Sequence, residues 1–293
     1  MAKSTTIMKI KLIPWILAIL FSACSMQKLT LRAMDPVIDG TMQALFEEAD
    51  LELAKTAIES NLKLIEGMLR DHPKNQKLLF LLIQGYSAYA LGFVEDEQPE
   101  RAQKLYLRAR EYGFRCLKQI KHLKFDERLP LAQFMQSLAQ FSKDDVPALF
   151  WTANAWSNYI NLNMGDPGAL IDLPKVQAMM QRVLELDERY FFGGAHLFFG
   201  IIYSFKPVML GGDPEKARQH FEACLEICDG KFLLPYTYYA KFYAVNTLDQ
   251  DLFRRLLEKV QSTPIDILPE QRLPNAIAKM KAKKLMVLEA DLF

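Results

Sequence analysis

Two stretches of this chain repeat each other at a constant offset of 115 residues, and that repeat limits the fold more than any other feature. Gly85 falls on Gly200, Pro99-Glu100-Arg101-Ala102 on Pro214-Glu215-Lys216-Ala217, Tyr106 on Phe221, and Ala109 on Cys224. Small residues at fixed places let paired helices approach closely, and an aromatic residue between them fills the groove. A unit of this kind cannot bury its apolar face alone, so the repeat predicts stacked neighbours.

The rest of the chain agrees. Leu51, Ala54, Ala57, Ile58, Leu62, Ile65, Met68 and Leu69 recur at three- and four-residue steps up to Asp71-His72-Pro73, which is the period of an amphipathic helix. Prolines at Pro99, Pro147, Pro174, Pro214 and Pro269 stand where a helix would start, because the first turn needs no proline N–H. Runs of alternating apolar residues between hairpin turns are missing. The expectation is an all-α chain of about eleven or twelve helices. Glycine in the first helix with small–x₃–aromatic–x₂–small in the second resembles the tetratricopeptide repeat. Both units depart from it alike: seventeen positions separate glycine from the next small residue, against about twelve in the standard repeat, which implies enlarged loops. The offset holds three units of about 38 residues, with Trp151–Asn163 and Pro174–Leu186 as a degenerate middle one. The fold class is therefore a tetratricopeptide-like solenoid of helical hairpins, with a non-repetitive helical bundle as the alternative.

The N-terminus has a separate purpose. Lys3, Lys9 and Lys11 precede the ten-residue apolar run Leu12–Phe21, and Ser22-Ala23-Cys24 follow. Ten residues of helix span about 15 Å, half of a hydrocarbon core of about 30 Å. The order basic, apolar, small fits a cleaved export signal, and the residues before Cys24 resemble a bacterial lipobox, with Phe21 where leucine is usual. Lipidation of Cys24 would tether the mature protein through its acyl chains without a span. Ser25, in place of Asp, resembles the outer-membrane sorting signal, so the expected location is the outer membrane facing the periplasm, with the inner membrane second. The expected domains are a signal peptide over 1–23, a lipid-anchored linker over 24–40 and a helical domain over 41–293. Loss of 1–23 removes three lysines and no acid, which moves the formal charge from +1 to −2. Such a balance supplies no surplus of cations for nucleic acid.

Three further strings carry a more specific resemblance: Leu149-Phe150-Trp151-Thr152-Ala153-Asn154-Ala155-Trp156, the run from Leu184 to His196, and the run from Pro207 to Ala217. With the lipobox, the repeats and the Leu292-Phe293 ending, they are similar to the T-component lipoproteins associated with TRAP transporters. The resemblance implies an all-helical trimer with a pore or cavity, a periplasmic solute-binding P-component as partner, and the passage of a hydrophobic small molecule toward the permease. A different binding class, an envelope scaffold that holds peptide segments in a concave groove, is the second reading.

Little in the residues suggests catalysis. His72, His122, His196 and His220 stand outside any metalloprotease, nucleophile-elbow or phosphate-loop motif, so no enzyme and no cofactor is expected. Gly193-Gly194 and Gly211-Gly212 read as close-contact or turn residues. His220, Cys224 and Cys228 stack at four-residue steps, but the outer two would lie about 12 Å apart along a helix, which suits buried thiols better than a metal. The aromatic run Tyr190 to Phe205 reads first as core. Alternatively, Phe199, Tyr203 and Lys206, together with Trp151 and Asn154, would line a ligand cavity, where tyrosine and tryptophan offer apolar area with a polar handle. Lys279, Lys281, Lys283 and Lys284 read as a solvated helix face.

Overall fold

Most of the long helices begin where a side chain or a proline satisfies or removes the free N–H groups of a first turn. A computed structural model of the chain describes residues 35–205 and 211–293. The export signal, Cys24 and Lys206 lie outside the described residues. Residues 1–46 and 47–293 form separate units; in the first, 35–46 are helical.

The second unit opens with α1 (Leu51–Asp71), where the Asp50 side chain accepts from the N–H groups of Glu52 and Leu53 in an N-cap. Asn75 does the same for α2 (Gln76–Phe93). The following helices are α3 (Pro99–Leu117), α4 (Leu131–Leu138), α5 (Val146–Asn161), α6 (Leu173–Asp187), α7 (Tyr190–Phe205) and α8 (Pro214–Ile227). Pro99, Pro147, Pro174 and Pro214 all stand in first turns, and Asp213 accepts from Lys216 N–H at the start of α8. The chain then runs through α9 (Leu234–Tyr238), continued by a π-helical turn over Tyr239–Ala244, and through α10 (Gln250–Ser262) and α11 (Arg272–Val287) to a last turn, Glu289–Leu292. Strands are absent among the described residues. The fold is all-α and solenoid-like.

Successive helices pack as neighbours: α1 on α2, α2 on α3, α3 on α5, α5 on α6, α7 on α8, then the π-helical turn on α10 and α10 on α11. The middle unit expected over Trp151–Asn163 and Pro174–Leu186 is the α5–α6 pair. Both repeated columns are sealed in the core, since Ala102, Tyr106 and Ala109, like Ala217, Phe221 and Cys224, have no solvent exposure. The two glycines approach different partners. A Cβ on Gly200 would stand 2.9 Å from the Phe221 ring, whereas one on Gly85 would meet the Leu62 side chain of α1 at 2.8 Å.

The last long helix returns to the first hairpin. The Cδ1 of Ile277 on α11 lies 2.7 Å from where a Gly92 Cβ would be. Four residues on, Lys281 Nζ donates to Glu95 at 2.9 Å and to both oxygens of Asp96 at 3.0 Å. These acids sit on the α2–α3 connection. The reading of Lys281 as solvated is thereby corrected: it is 5% exposed, because the solenoid end folds back onto acids that neutralise it. An isolated cation at that depth would cost several kcal/mol. Lys284 remains nearer solvent and reaches Glu97 at 3.3 Å.

Candidate functional site

The aromatic residues that the sequence concentrates on α5 and α7 meet around a break in the backbone. Phe191, Phe192 and Gly193 have φ of 46°, 58° and 73°, a left-handed turn set at the start of α7. Glycine adopts that conformation freely, but each phenylalanine there costs about 1–2 kcal/mol. The turn is needed because α7 must come very close to two neighbours. A Cβ on Gly193 would stand 3.3 Å from the Cys224 backbone, and one on Gly194 would stand 2.5 Å from the Phe150 ring. Gly193-Gly194 thus serves as turn and close contact, as the sequence suggests.

Ring packing offsets the strain. Phe191 lies 4.7 Å from Trp151, edge to face, and Phe192 stacks on Phe232 at 4.5 Å with 16° between planes. Phe150 joins Trp151, Tyr190 and Phe191 within 5.7 Å. Burial pushes the Tyr190 phenol up to about 12, with the Trp151 indole pulling the other way. Aromatic pairs of this geometry contribute about 0.5–1.5 kcal/mol each beyond burial.

One turn along α7 a second cluster forms on the face carrying His196, Phe199 and Tyr203. The His196 and His220 Nδ1 atoms lie 3.0 Å apart, so one ring donates and the other accepts, and both cannot be protonated. The His220 ring stacks against Phe199 and Tyr203 at 5.4 and 5.7 Å. Burial lowers the His220 pKa to about 4, helped by His196. His196 is lowered by burial against the opposing pull of Glu188.

The five residues named from the sequence are therefore divided. Trp151, 6% exposed, belongs to the first cluster, and Phe199, 5% exposed, to the second with Tyr203. Asn154 and Tyr203 are half-buried; the Asn154 amide oxygen accepts from Asn158 at 3.2 Å, and Lys216 Nζ lies 5.7 Å from the centre of the Tyr203 ring. Sequence reasoning missed the left-handed pair and the role of Phe232. Gly193-Gly194 hints at a turn, but nothing in the sequence places the two phenylalanines in it or ties Phe232 to Phe192. The Cys224 thiol donates to the Phe192 carbonyl at 3.2 Å and Cys228 to the Leu225 carbonyl at 3.4 Å. The three described cysteines are buried and free, and burial raises each thiol above its ordinary pKa, as suits core thiols.

Among the described residues, no helix is long and apolar enough to cross a membrane. A comparison with curated proteins finds no match. A comparison with protein families matches residues 47–293 to the TRAP transporter T-component. That match spans the whole helical unit, including both repeated hairpins and both aromatic clusters, and the chain belongs to the TRAP transporter T-component family.

Proposed function

We propose that this T-component is a lipoprotein held in the outer membrane through Cys24, facing the periplasm, where it docks a solute-binding P-component and hands on a hydrophobic small molecule. Its working form is a homotrimer. Family membership supports the transport role, and the order of residues 1–24 supports the anchor.

The observation that carries the solute reading is the aromatic layer with strain at its centre. Two phenylalanines in a costly conformation are kept where a transport component concentrates its rings, and strain of that kind clusters at ligand clamps and switches. Trp151 and Phe199 supply apolar surface, one from each cluster, and the half-buried Asn154 and Tyr203 supply polar ends; Lys206, expected as a third, lies outside the described residues. No bond is made or broken in this role.

Native mass spectrometry of detergent-extracted protein tests it. The expected result is a trimer that carries a P-component and a lipophilic ligand. Monomers free of both would remove the reading. Tyr203→Ala should lower ligand occupancy about tenfold with unchanged helical circular dichroism, consistent with a lost aromatic contact of about 1.4 kcal/mol. Cys24→Ala should abolish palmitate incorporation, and persistent labelling would refute the anchor.

A further inference from the structure

A recess lies between α1 and α3, on different helices from the two aromatic clusters. Its volume is about 350 Å³, and Lys63, Glu66, Arg70, Arg108, Tyr112 and Arg115 line it. The sequence spacing is reciprocal. Positions 63, 66 and 70 step by three and four along α1, and positions 108, 112 and 115 step by four and three along α3, so each set occupies one helical face.

Four cations meet one carboxylate here, and the carboxylate is already engaged. Glu66 accepts from the hydroxyls of Tyr86 and Tyr112 at 2.7 and 2.8 Å and from Lys63. Burial alone would raise its carboxyl, but these donors hold it down at about 2. Two of the three guanidinium groups are held over aromatic rings. Arg108 lies 5.3 Å over Tyr86 and Arg115 lies 5.3 Å over Tyr112, and the two rings stack at 6.0 Å with 15° between planes. Arg108 donates through Nη1 to Tyr86 at 3.1 Å and Arg115 through Nη2 to the Pro73 carbonyl at 3.2 Å. Among the described residues, Arg70 has no hydrogen bond or ion pair. Most of the fifteen N–H donors that three guanidinium groups carry therefore remain open around one recess.

We propose that this recess is a binding site for a phosphate-type dianion, held by Arg70, Arg108 and Arg115. Three surplus positive charges match a dianion better than a single carboxylate, and the two forks of Arg108 and Arg115, already set over tyrosine rings, suit phosphate contacts with little loss of side-chain freedom, while the exposed Arg70 closes on the ion from α1. Glu66 and Lys63 set the fork of Arg108 through Tyr86 and act as positioning residues. The phosphate is supplied either by a free small molecule or by a lipid phosphomonoester, and both use the same forks.

The test is calorimetric titration of the full-length protein at low ionic strength. One arm uses inorganic phosphate, the other phosphatidylcholine vesicles with and without phosphatidic acid. Saturable phosphate binding is expected, weakened about tenfold by Arg70→Gln and about a hundredfold by Arg108→Gln with Arg115→Gln, since each charge-assisted contact counts for about a factor of ten. Arg70 has no partner in the described protein, so Arg70→Gln does not confuse binding with folding. Lys231→Gln, an exposed cation paired with Asp229 outside the recess, should leave the affinity unchanged. Binding only to phosphatidic acid vesicles, lost in the same variants, keeps the site and identifies the lipid as its source. Two results overturn the proposal: no saturable binding of either probe up to about 10 mM phosphate, or equal binding by wild type and variants.

Discussion

In the α2–α3 hairpin the column aromatic is Tyr106, whose hydroxyl donates to Glu95 at 2.6 Å. In α7–α8 the matching residue, Phe221, has nothing to donate and instead stacks on Tyr239 at 4.6 Å, with 10° between planes. The frames are the same, with small residues one helical turn to either side and no solvent on any of them. At the aromatic position one oxygen atom separates them. It turns the first hairpin toward a polar connection that fastens α11, and its absence leaves the second with a purely apolar ring stack. Tyr238 and Tyr239, adjacent in sequence, serve the two sides: burial and the charges of Glu95 and Asp96 raise the Tyr238 phenol, while Tyr239 covers Phe221. A repeat thus fixes how helices approach, and single atoms decide what each unit is joined to.

The polar side should break most readily. Lys281→Met leaves Glu95 without its cation and Asp96 with only Lys284 at 3.7 Å, and should destabilise the protein by about 3 kcal/mol, the low end for a broken buried pair because Asp96 is partly exposed and keeps that second partner. Urea unfolding measures this, and a midpoint equal to wild type would deny that the α11 contact holds the fold. The glycines sharpen the contrast with one substitution made twice. Gly200→Ala pushes a methyl into a rigid ring and should cost about 1–3 kcal/mol. Gly85→Ala meets only the Cδ2 of Leu62, a flexible end, and the gain in helix propensity of about 1 kcal/mol should bring the net change near zero. Equal losses at both sites would mean that the hairpins do not differ in this way. Tyr106→Phe makes the first column resemble the second and should cost about 1 kcal/mol for the lost hydrogen bond, seen as a small fall in melting temperature.

The smallest effect is specific to the second hairpin. His196 and His220 have lowered folded pKa values, so the unfolded chain binds more protons as pH falls below the ordinary value of 6.5. Stability is then full above about pH 6.5 and declines toward pH 4, by about 1 kcal/mol after allowance for partial exposure. His220→Gln should flatten that part of the pH profile. An unchanged slope between pH 6.5 and 4 would exclude the pair as its source. The Glu66 contribution is lost only in the lower window, from about 4.5 toward 2, so the two can be told apart.

The hairpins were legible because small and aromatic residues at fixed steps leave a periodic trace, and proline marks helix starts wherever it falls. The buried Lys281 was not, because a lysine on a helix carries no mark of an acidic loop 186 residues earlier. The left-handed turn at Phe191 was hidden for a related reason. Phenylalanine disfavours that backbone, so only the crowding by Phe150 and Cys224 in three dimensions explains it. The anion recess depends on steps of three and four that are common on any helix, and only the approach of α1 to α3 makes them converge.

The return of α11 to the first hairpin also has a meaning in time. A linear stack can form from one end, each unit resting on the one before, and it can fray from either end. Here the contact between Lys281 and Glu95 joins residues 186 apart, so it waits for nearly the whole chain, and long-range contacts of this kind slow folding. A chain delivered N-terminus first must keep the acids of its first hairpin uncompensated until the last long helix arrives. A product shortened before residue 281 can never make that contact, so the fold itself distinguishes a finished chain from a fragment.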